Sequence, residues 1–462
     1  MADERDVDVV VVGMGPGGEY AAEELAGAGL AVAGVEARLV GGECPYWGCV
    51  PSKMMIRAAD LLAEGHRIPG MAGRSQVEPD WAPVAQRIRE EATDSWDDKA
   101  AVDRFTRAGG QFFRGMGRIT APAQVTVGEH VLRARRAIIL NTGTEPAVPP
   151  VEGLAGTPYW TNRDAIEAAR VPDSLLVLGG GAIGAELAQV FARFGATVTV
   201  IEGAGQLLPL EEPEAGALLA AVFDRDGIGV RTGTTARAVR HDGISFTVGL
   251  SDGTEMAGDA LLVATGRRTN LAGAGVVALG LDETARAIPV DDHLRVPAGE
   301  GWAAGPGVWA IGDMTGHGAF THMSMYQAGI VVADILGREV SPAEYHAVPR
   351  VTFTDPEIGS VGMSERQARE QGIPVATGFA KVPESTRGWI HKAGNDGFIK
   401  LVADSGRGVL AGATSAGPSG GEVLGLLALA VHARVPVRRL REMIYAYPTF
   451  HRAIETAVRD LG

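Results

Sequence analysis

Val9-Val10-Val11-Val12-Gly13-Met14-Gly15-Pro16-Gly17-Gly18, then an alanine-rich stretch, then Leu30 to Val35 and Glu36, is the segment on which the fold reading rests. The valine run reads as a buried strand, the glycines as a tight turn, the alanine-rich run as a helix and Leu30–Val35 as a second strand. In such a unit each glycine has a physical task. Gly13 makes the tight turn, Gly15 lets a pyrophosphate approach the backbone, and Gly18 lets helix and strand pack closely. Glu36, eighteen residues beyond Gly18, would accept the ribose hydroxyls.

The unit recurs at a constant offset of 166 residues: Leu175-Leu176-Val177-Leu178, then Gly179, Gly181 and Gly184, an apolar helix through Phe194, the strand Thr197–Ile201, and Glu202. Matches at one offset point to two dinucleotide sites on one chain. A carboxylate at 202 accepts a ribose 2′-OH but repels a 2′-phosphate. Gly203-Ala204-Gly205-Gln206 supplies no arginine to hold one, so NADH is the expected nicotinamide donor.

The rest of the composition narrows the class. At 462 residues the chain has room for about three domains. A net charge of −14, from 42 basic and 56 acidic residues, comes without a like-charged block. That field repels phosphate backbones and acidic membranes, so neither nucleic acid nor membrane is an expected partner. Met1 to Asp8 is acidic where a signal peptide would be basic, and Val423–Ala433 is far short of a spanning helix, so a cytoplasmic protein is expected. Cys44 and Cys49 are the only cysteines. A secreted disulfide framework and a multi-cysteine metal site are thereby excluded, and no resident metal is expected.

Between the repeats, Ala58 to Arg118 reads as mostly helical. Glu145-Pro146 to Pro149-Pro150 reads as a linker because prolines stop regular structure. Further boundaries are expected after Gly266-Arg267-Arg268-Thr269-Asn270 and near Glu339–Val348. Beyond Pro349 the pattern changes to strands at Val351–Thr354, Gly397–Leu401 and Val409–Ser415, with helices near Ser364–Gln371 and Glu422–Ala433.

Gly41-Gly42-Glu43-Cys44-Pro45-Tyr46-Trp47-Gly48-Cys49-Val50-Pro51-Ser52-Lys53 resembles the redox-active disulfide segment of the FAD-dependent pyridine nucleotide-disulfide oxidoreductases, the family of lipoamide dehydrogenase, glutathione reductase and mercuric reductase. Thr142-Gly143-Thr144-Glu145-Pro146, Ala264-Thr265-Gly266-Arg267-Arg268, Gly307-Val308-Trp309-Ala310-Ile311-Gly312-Asp313 and Thr354-Asp355-Pro356-Glu357-Ile358-Gly359 agree with it. The resemblance implies an α/β chain with two Rossmann-like dinucleotide-binding domains and a C-terminal α+β dimerisation domain. Residues 1–147 and 271–345 would bind FAD, 148–270 NAD(H), and 346–462 would form a homodimer interface.

The resemblance also assigns roles. Cys49 would face the flavin and Cys44 would attack the substrate, a short helix beginning near Cys44 bringing the two within bonding reach. Lys53 and Glu186 would pair beside the flavin, where a buried cation stabilises the reduced anionic ring; a surface ion pair is the plain alternative. Gly42, Thr142, Gly143, Gly312 and Asp313 would complete the FAD site, and Gly266 the nicotinamide side. Arg387, Trp389 and His391 match the family's substrate entrance by position only.

The pattern breaks at the C-terminus. Where lipoamide dehydrogenase and glutathione reductase carry His-Pro-Thr-x-x-Glu, this chain has Tyr447-Pro448-Thr449-Phe450-His451-Arg452. A phenol with a reference pKa of about 10 is a poor base at neutral pH, so lipoamide and glutathione disulfide are expected to be poor substrates. His451 and Glu455 stand four apart, a spacing that suits a displaced acid-base pair on a helix and equally an interface or surface pair. His322 is a second candidate near the flavin, with a structural role as its alternative. No cysteine pair ends the chain as in mercuric reductase. The function expected is electron flow from NADH through FAD and Cys44–Cys49 to a disulfide or other thiol-reactive small molecule. The alternatives are a flavin that reduces quinones or dyes directly, and a flavoprotein subunit without turnover.

Overall fold

In a computed structural model the residues described are 3–297, 299 and 305–461. They form two compact units, each assembled from separated stretches of chain.

The first unit comprises residues 1–51, 86–147 and 267–345. Its sheet runs Gln111–Arg114, Val32–Glu36, Asp3–Val12, His130–Leu140, Gln124–Val127, Arg118–Ala121, with Gly307–Ala310 also paired to His130–Leu140. The pairs from Gln111–Arg114 to His130–Leu140, and the pair with Gly307–Ala310, are parallel. A parallel sheet is covered on both faces, which accounts for an uninterrupted valine run instead of alternation. Val9 and Val11 pack toward Leu25, Ala328 and Val331, the buried side of helices Pro16–Gly27 and Thr321–Ile335. Val10 and Val12 pack on the other face with Ile119, Leu132 and Ile288.

The second unit comprises 52–85, 148–266 and 346–462. A parallel sheet in the order Gly229–Arg231, Thr197–Ile201, Ser174–Leu178, Ala260–Val263 repeats the first design on a smaller scale. A five-stranded antiparallel sheet follows, ordered Pro349–Thr352, Glu357–Gly362, Val409–Gly417, Phe398–Asp404, Val375–Lys381. Helices Gly420–His432 and Ala453–Asp460 pack against it through Leu424, Leu427, Ile454 and Val458. Burying each of these side chains stabilises the unit by about 1.5–3 kcal/mol. The α/β class with two dinucleotide-binding domains and a C-terminal dimerisation domain is the architecture found.

One reading is refined and one corrected. Residues 58–118 are mostly helical, in helices Cys49–Arg67, Ala82–Arg87, Ile88–Ala92, Asp94–Trp96 and Lys99–Arg107, but Gln111–Arg114 is a sheet strand. Its Phe112 and Phe113 are partly buried on opposite faces, an alternation too short to stand out beside a helical pattern. Glu145 and Pro146, expected to open a linker, lie in strand Thr144–Pro146, which pairs antiparallel with Arg267–Thr269. Proline is tolerated there because it ends a strand in a two-stranded ribbon.

Candidate active site

The two glycine turns are built alike, bond for bond. Met14 N–H donates to Glu36 Oε2 at 2.8 Å and Arg38 N–H to Oε1 at 2.8 Å. At the offset of 166, Gly180 N–H donates to Glu202 Oε2 at 2.6 Å and Ala204 N–H to Oε1 at 2.7 Å. Gly13 N–H reaches Val35 O and Gly179 N–H reaches Ile201 O, both at 2.8 Å. A Cβ on Gly13 would overlap the Asn141 carbonyl, and one on Gly179 that of Ala264. A Cβ on Gly18 or Gly184 would likewise overlap the carbonyl of Gly13 or Gly179. Gly15 and Gly181 are the residues that cap helices Pro16–Gly27 and Ala182–Arg193, and a helix N-terminus after a glycine turn is a setting that suits a pyrophosphate. Burial holds the Glu36 carboxyl above the usual range despite its two amide donors. Both turns fit a dinucleotide.

The cysteine segment packs on the first turn. A Cβ on Gly42 would lie 2.9 Å from Gly15 Cα, and Gly42 opens helix Glu43–Tyr46. The expected single helix joining the cysteines is instead two: the chain breaks at Trp47 and Gly48, and helix Cys49–Arg67 begins anew. Gly48 makes this work. Its missing Cβ would stand 3.0 Å from Glu43 O and 3.4 Å from Cys44 Cα, so the backbone at Gly48 lies against Cys44 just before Cys49. Cys44 is half-buried and Cys49 exposed, with Cys49 Sγ 3.5 Å from Thr321 Oγ1.

Asp313 belongs to the same unit. Its Oδ2 accepts the Thr144 hydroxyl at 2.5 Å, while Arg267 Nε donates to that hydroxyl at 2.7 Å. Gly312 N–H donates to Oε1 of fully buried Gln327 at 2.6 Å. Thr142 N–H lies 3.3 Å from Met314 Sδ, next to Gly143. Gly266 directly precedes the Arg267–Thr269 strand. Sequence reasoning missed Gln327, Asn141 and Thr321 as supports, and nothing but their position after glycine motifs could have marked them.

The family model for pyridine nucleotide-disulphide oxidoreductases matches residues 7–328, and the model for that family's dimerisation domain matches 348–458. The chain belongs to this family. A dihydrolipoyl dehydrogenase of Chlorobaculum tepidum is 32% identical, covering 98% of this chain and 96% of the relative. A mercuric reductase of Acidithiobacillus ferrooxidans is 30% identical over 99% and 83%. The Cu(II) complex of the HOCl-induced flavoprotein disulfide reductase RclA from Escherichia coli superimposes with a TM-score of 0.85 at 26% identity, covering 98% of this chain and 99% of that one. As a pyridine nucleotide-disulphide oxidoreductase the chain is a flavoprotein enzyme that uses FAD and NAD(P)H and acts on a sulfur group. Among the described residues no helix is long and apolar enough to cross a membrane.

Lys53, on the helix that begins at Cys49, forms a 2.8 Å ion pair with Glu186 Oε2, and its ammonium lies 4.7 Å from the Phe353 ring centre. Glu186 Oε1 accepts the Phe353 amide at 2.8 Å and the carboxylate is buried. Glu186 is buried while the Lys53 side chain is 35% exposed, so the pair is half-buried.

The C-terminal candidates are brought together only in part. Tyr447 is 65% exposed; its hydroxyl reaches Thr386 Oγ1 at 3.4 Å and the Arg452 guanidinium lies 5.4 Å from its ring centre. Phe450 gathers Arg387 over its ring and His391 at its edge, while Trp389 stays exposed. The expected His451–Glu455 pair does not form. His451 sits in a single 3-10 turn, Phe450–Arg452, with Nε2 3.4 Å from Thr449 Oγ1. Glu455 is held by Arg452 at 3.0 Å and Arg459 at 2.9 Å. A guanidinium outcompetes a neutral imidazole for a carboxylate. His322 is exposed and stacks on Phe320 at 5.1 Å.

Proposed function

We propose that this enzyme uses NADH to reduce a small thiol-reactive acceptor through a Cys44–Cys49 disulfide, working as a cytoplasmic homodimer. Residues 1–147 and 271–345 would hold FAD, 148–270 NADH, and 346–462 the interface. What supports the reading is the family match together with Gly48, whose backbone lies against Cys44 one residue before Cys49, in the segment that packs on the Gly15 turn. Bound FAD supplies a two-electron relay between the nicotinamide and the disulfide. Gly13, Gly15, Gly18, Glu36, Gly42, Thr142, Gly143, Gly312 and Asp313 would hold it.

Two electrons and two protons, drawn from NADH and one solvent proton, would convert the Cys44–Cys49 bond into two thiols, each of which becomes a thiolate by giving up its proton. Cys44 thiolate then attacks one sulfur of a substrate disulfide, and the first substrate thiolate leaves with a proton. Cys49 thiolate attacks Cys44 Sγ, which re-forms the disulfide and releases the second thiol. NADH, one proton and R–S–S–R thus become NAD⁺ and two R–SH. Lys53, paired with Glu186, would supply positive charge to the flavin. Glu202, with no cation in Gly203–Gln206, favours NADH over NADPH.

Tyr447 and the Arg-bound Glu455 leave the C-terminus without the family's acid-base pair, which favours a second reading: direct reduction of quinones or dyes. One screen separates the two. Low-molecular-weight disulfides, quinones, Cu²⁺ and Hg²⁺ are offered to wild type and Cys44→Ser with NADH. An acceptor whose reduction disappears only in the variant establishes the thiol route. Fast quinone reduction with no such acceptor establishes the direct one.

A further inference from the structure

The loop after Glu202 is tied down at both ends. At its start, Glu202 binds the Gly180 amide, and Leu208 N–H donates to Gly180 O at 2.9 Å. Leu207 is fully buried and lies so close beneath Gly180 that a Cβ there would meet its Cδ2 at 2.6 Å. At its end stand two adjacent carboxylates, both gripped by the antiparallel sheet. Glu211 makes a two-pronged bond to Arg350, Nε to Oε1 at 2.6 Å and Nη2 to Oε2 at 2.9 Å. Glu212, almost wholly buried, accepts from Lys400 Nζ at 3.0 Å and from Glu365 N–H at 2.7 Å. Lys400, 6% exposed, is also within 2.8 Å of Glu214 and 3.0 Å of Glu365.

Burying one ammonium among three carboxylates is an expensive way to stabilise a fold, since well-packed apolar side chains of the same size commonly do better. What such a cluster supplies is fixed geometry. Guanidinium and carboxylate planes must align to make both prongs, and a buried ammonium has a limited set of directions for its donors.

We infer that Arg350 and Lys400 are positioning residues for the nicotinamide dinucleotide: by clamping Glu211 and Glu212 they set the loop 203–212 and, through Leu207 and Leu208, the Gly179–Gly181 turn with Glu202. Neither side chain touches the nucleotide. The inference rests on the reading of that turn as the NADH site, and it assigns to the antiparallel sheet a part in coenzyme affinity.

The test is anaerobic rapid-mixing reduction of the full FAD-loaded enzyme over a range of NADH concentrations, for wild type, Arg350→Met, Lys400→Met, Lys400→Arg and Glu202→Ala. The clamp requires the apparent Kd for NADH to rise by about fivefold or more in both methionine variants with the limiting rate held within about twofold, and Lys400→Arg to recover most of the loss. FAD content stays at the wild-type level. An unchanged Kd in Arg350→Met, whatever its melting temperature, overturns the clamp; this partly exposed position decides the matter if Lys400→Met fails to fold. Glu202→Ala separates the two layers. A raised Kd there with none in Arg350→Met sinks the clamp alone, whereas an unchanged Kd in Glu202→Ala removes the nicotinamide site on which the clamp depends.

Discussion

The Glu186 carboxylate is shared between one charged and one neutral donor: Lys53 takes Oε2 and the Phe353 amide takes Oε1, each at 2.8 Å. Both oxygens thereby have a partner, and the lysine stem can swing only by breaking a half-buried ion pair. Lys53→Met should slow flavin reduction by NADH by about 10²–10³, the usual cost of losing one preorganised electrostatic donor. Glu186→Gln, which keeps the cation, should cost less. Rapid-mixing kinetics check this, and wild-type rates in Lys53→Met would assign the pair to stability alone.

Two variants separate the thiols. With one equivalent of NADH and no oxygen, wild type and Cys44→Ser should show long-wavelength absorbance from the Cys49 thiolate against oxidised flavin, and Cys49→Ser should not. The same band surviving in Cys49→Ser would reverse the assigned roles.

On the proposed reading, coenzyme choice follows from charge near position 202. Ala204, whose amide bonds Glu202 Oε1, precedes a segment without cations, so Ala204→Arg should lower the KM for NADPH about tenfold, the gain expected when a guanidinium meets a 2′-phosphate. Steady-state rates with both coenzymes report it. Wild-type preference for NADPH would contradict the reading of Glu202.

Arg452 and Arg459 hold Glu455, and the His451 ring meets the Thr449 hydroxyl instead. His451→Ala should leave acceptor turnover within about twofold of wild type, and lipoamide and glutathione disulfide should be slow substrates. Fast lipoamide turnover that collapses in His451→Ala would restore a histidine to proton transfer.

Burial pushes the Asp60 carboxyl up from 3.8 to about 6, with Arg193 pulling it back and Asp355 adding to the rise. Arg193 Nη1 lies 2.7 Å from Asp60, and the same side chain binds Asp355 at 2.7 Å and reaches Asp226 at 3.6 Å. A carboxyl whose folded pKa exceeds its unfolded one contributes stability below the unfolded value and loses it as pH rises through the folded value. Melting temperatures of wild type should therefore fall relative to Asp60→Asn between pH 4 and about 6. Parallel curves would show that Asp60 does not titrate there.

The glycine turns were fully legible because their chemistry is local: the 166-residue offset in the sequence reappears as matched bonds at Met14 and Gly180, and at Arg38 and Ala204. Lys53 and Glu186, 133 residues apart, could be paired only through the family resemblance, and Phe353, which completes that pair, carries no signal of its own. The helix joining Cys44 to Cys49 was misread because a single glycine in a helical context says little about where the chain turns back. The His451–Glu455 pairing failed for a different reason. Helical spacing shows which residues stand near one another, but it does not show which of several donors a carboxylate will take.

The strands Thr144–Pro146 and Arg267–Thr269 lie side by side, so the chain leaves for residues 148–266 and returns from them through one hydrogen-bonded stem. Both ends of that long excursion are held at neighbour spacing, as the two ends of a hairpin loop are. A change of length or sequence within that excursion therefore leaves its two points of departure adjacent, and the seven-stranded sheet can keep its register while the excursion varies.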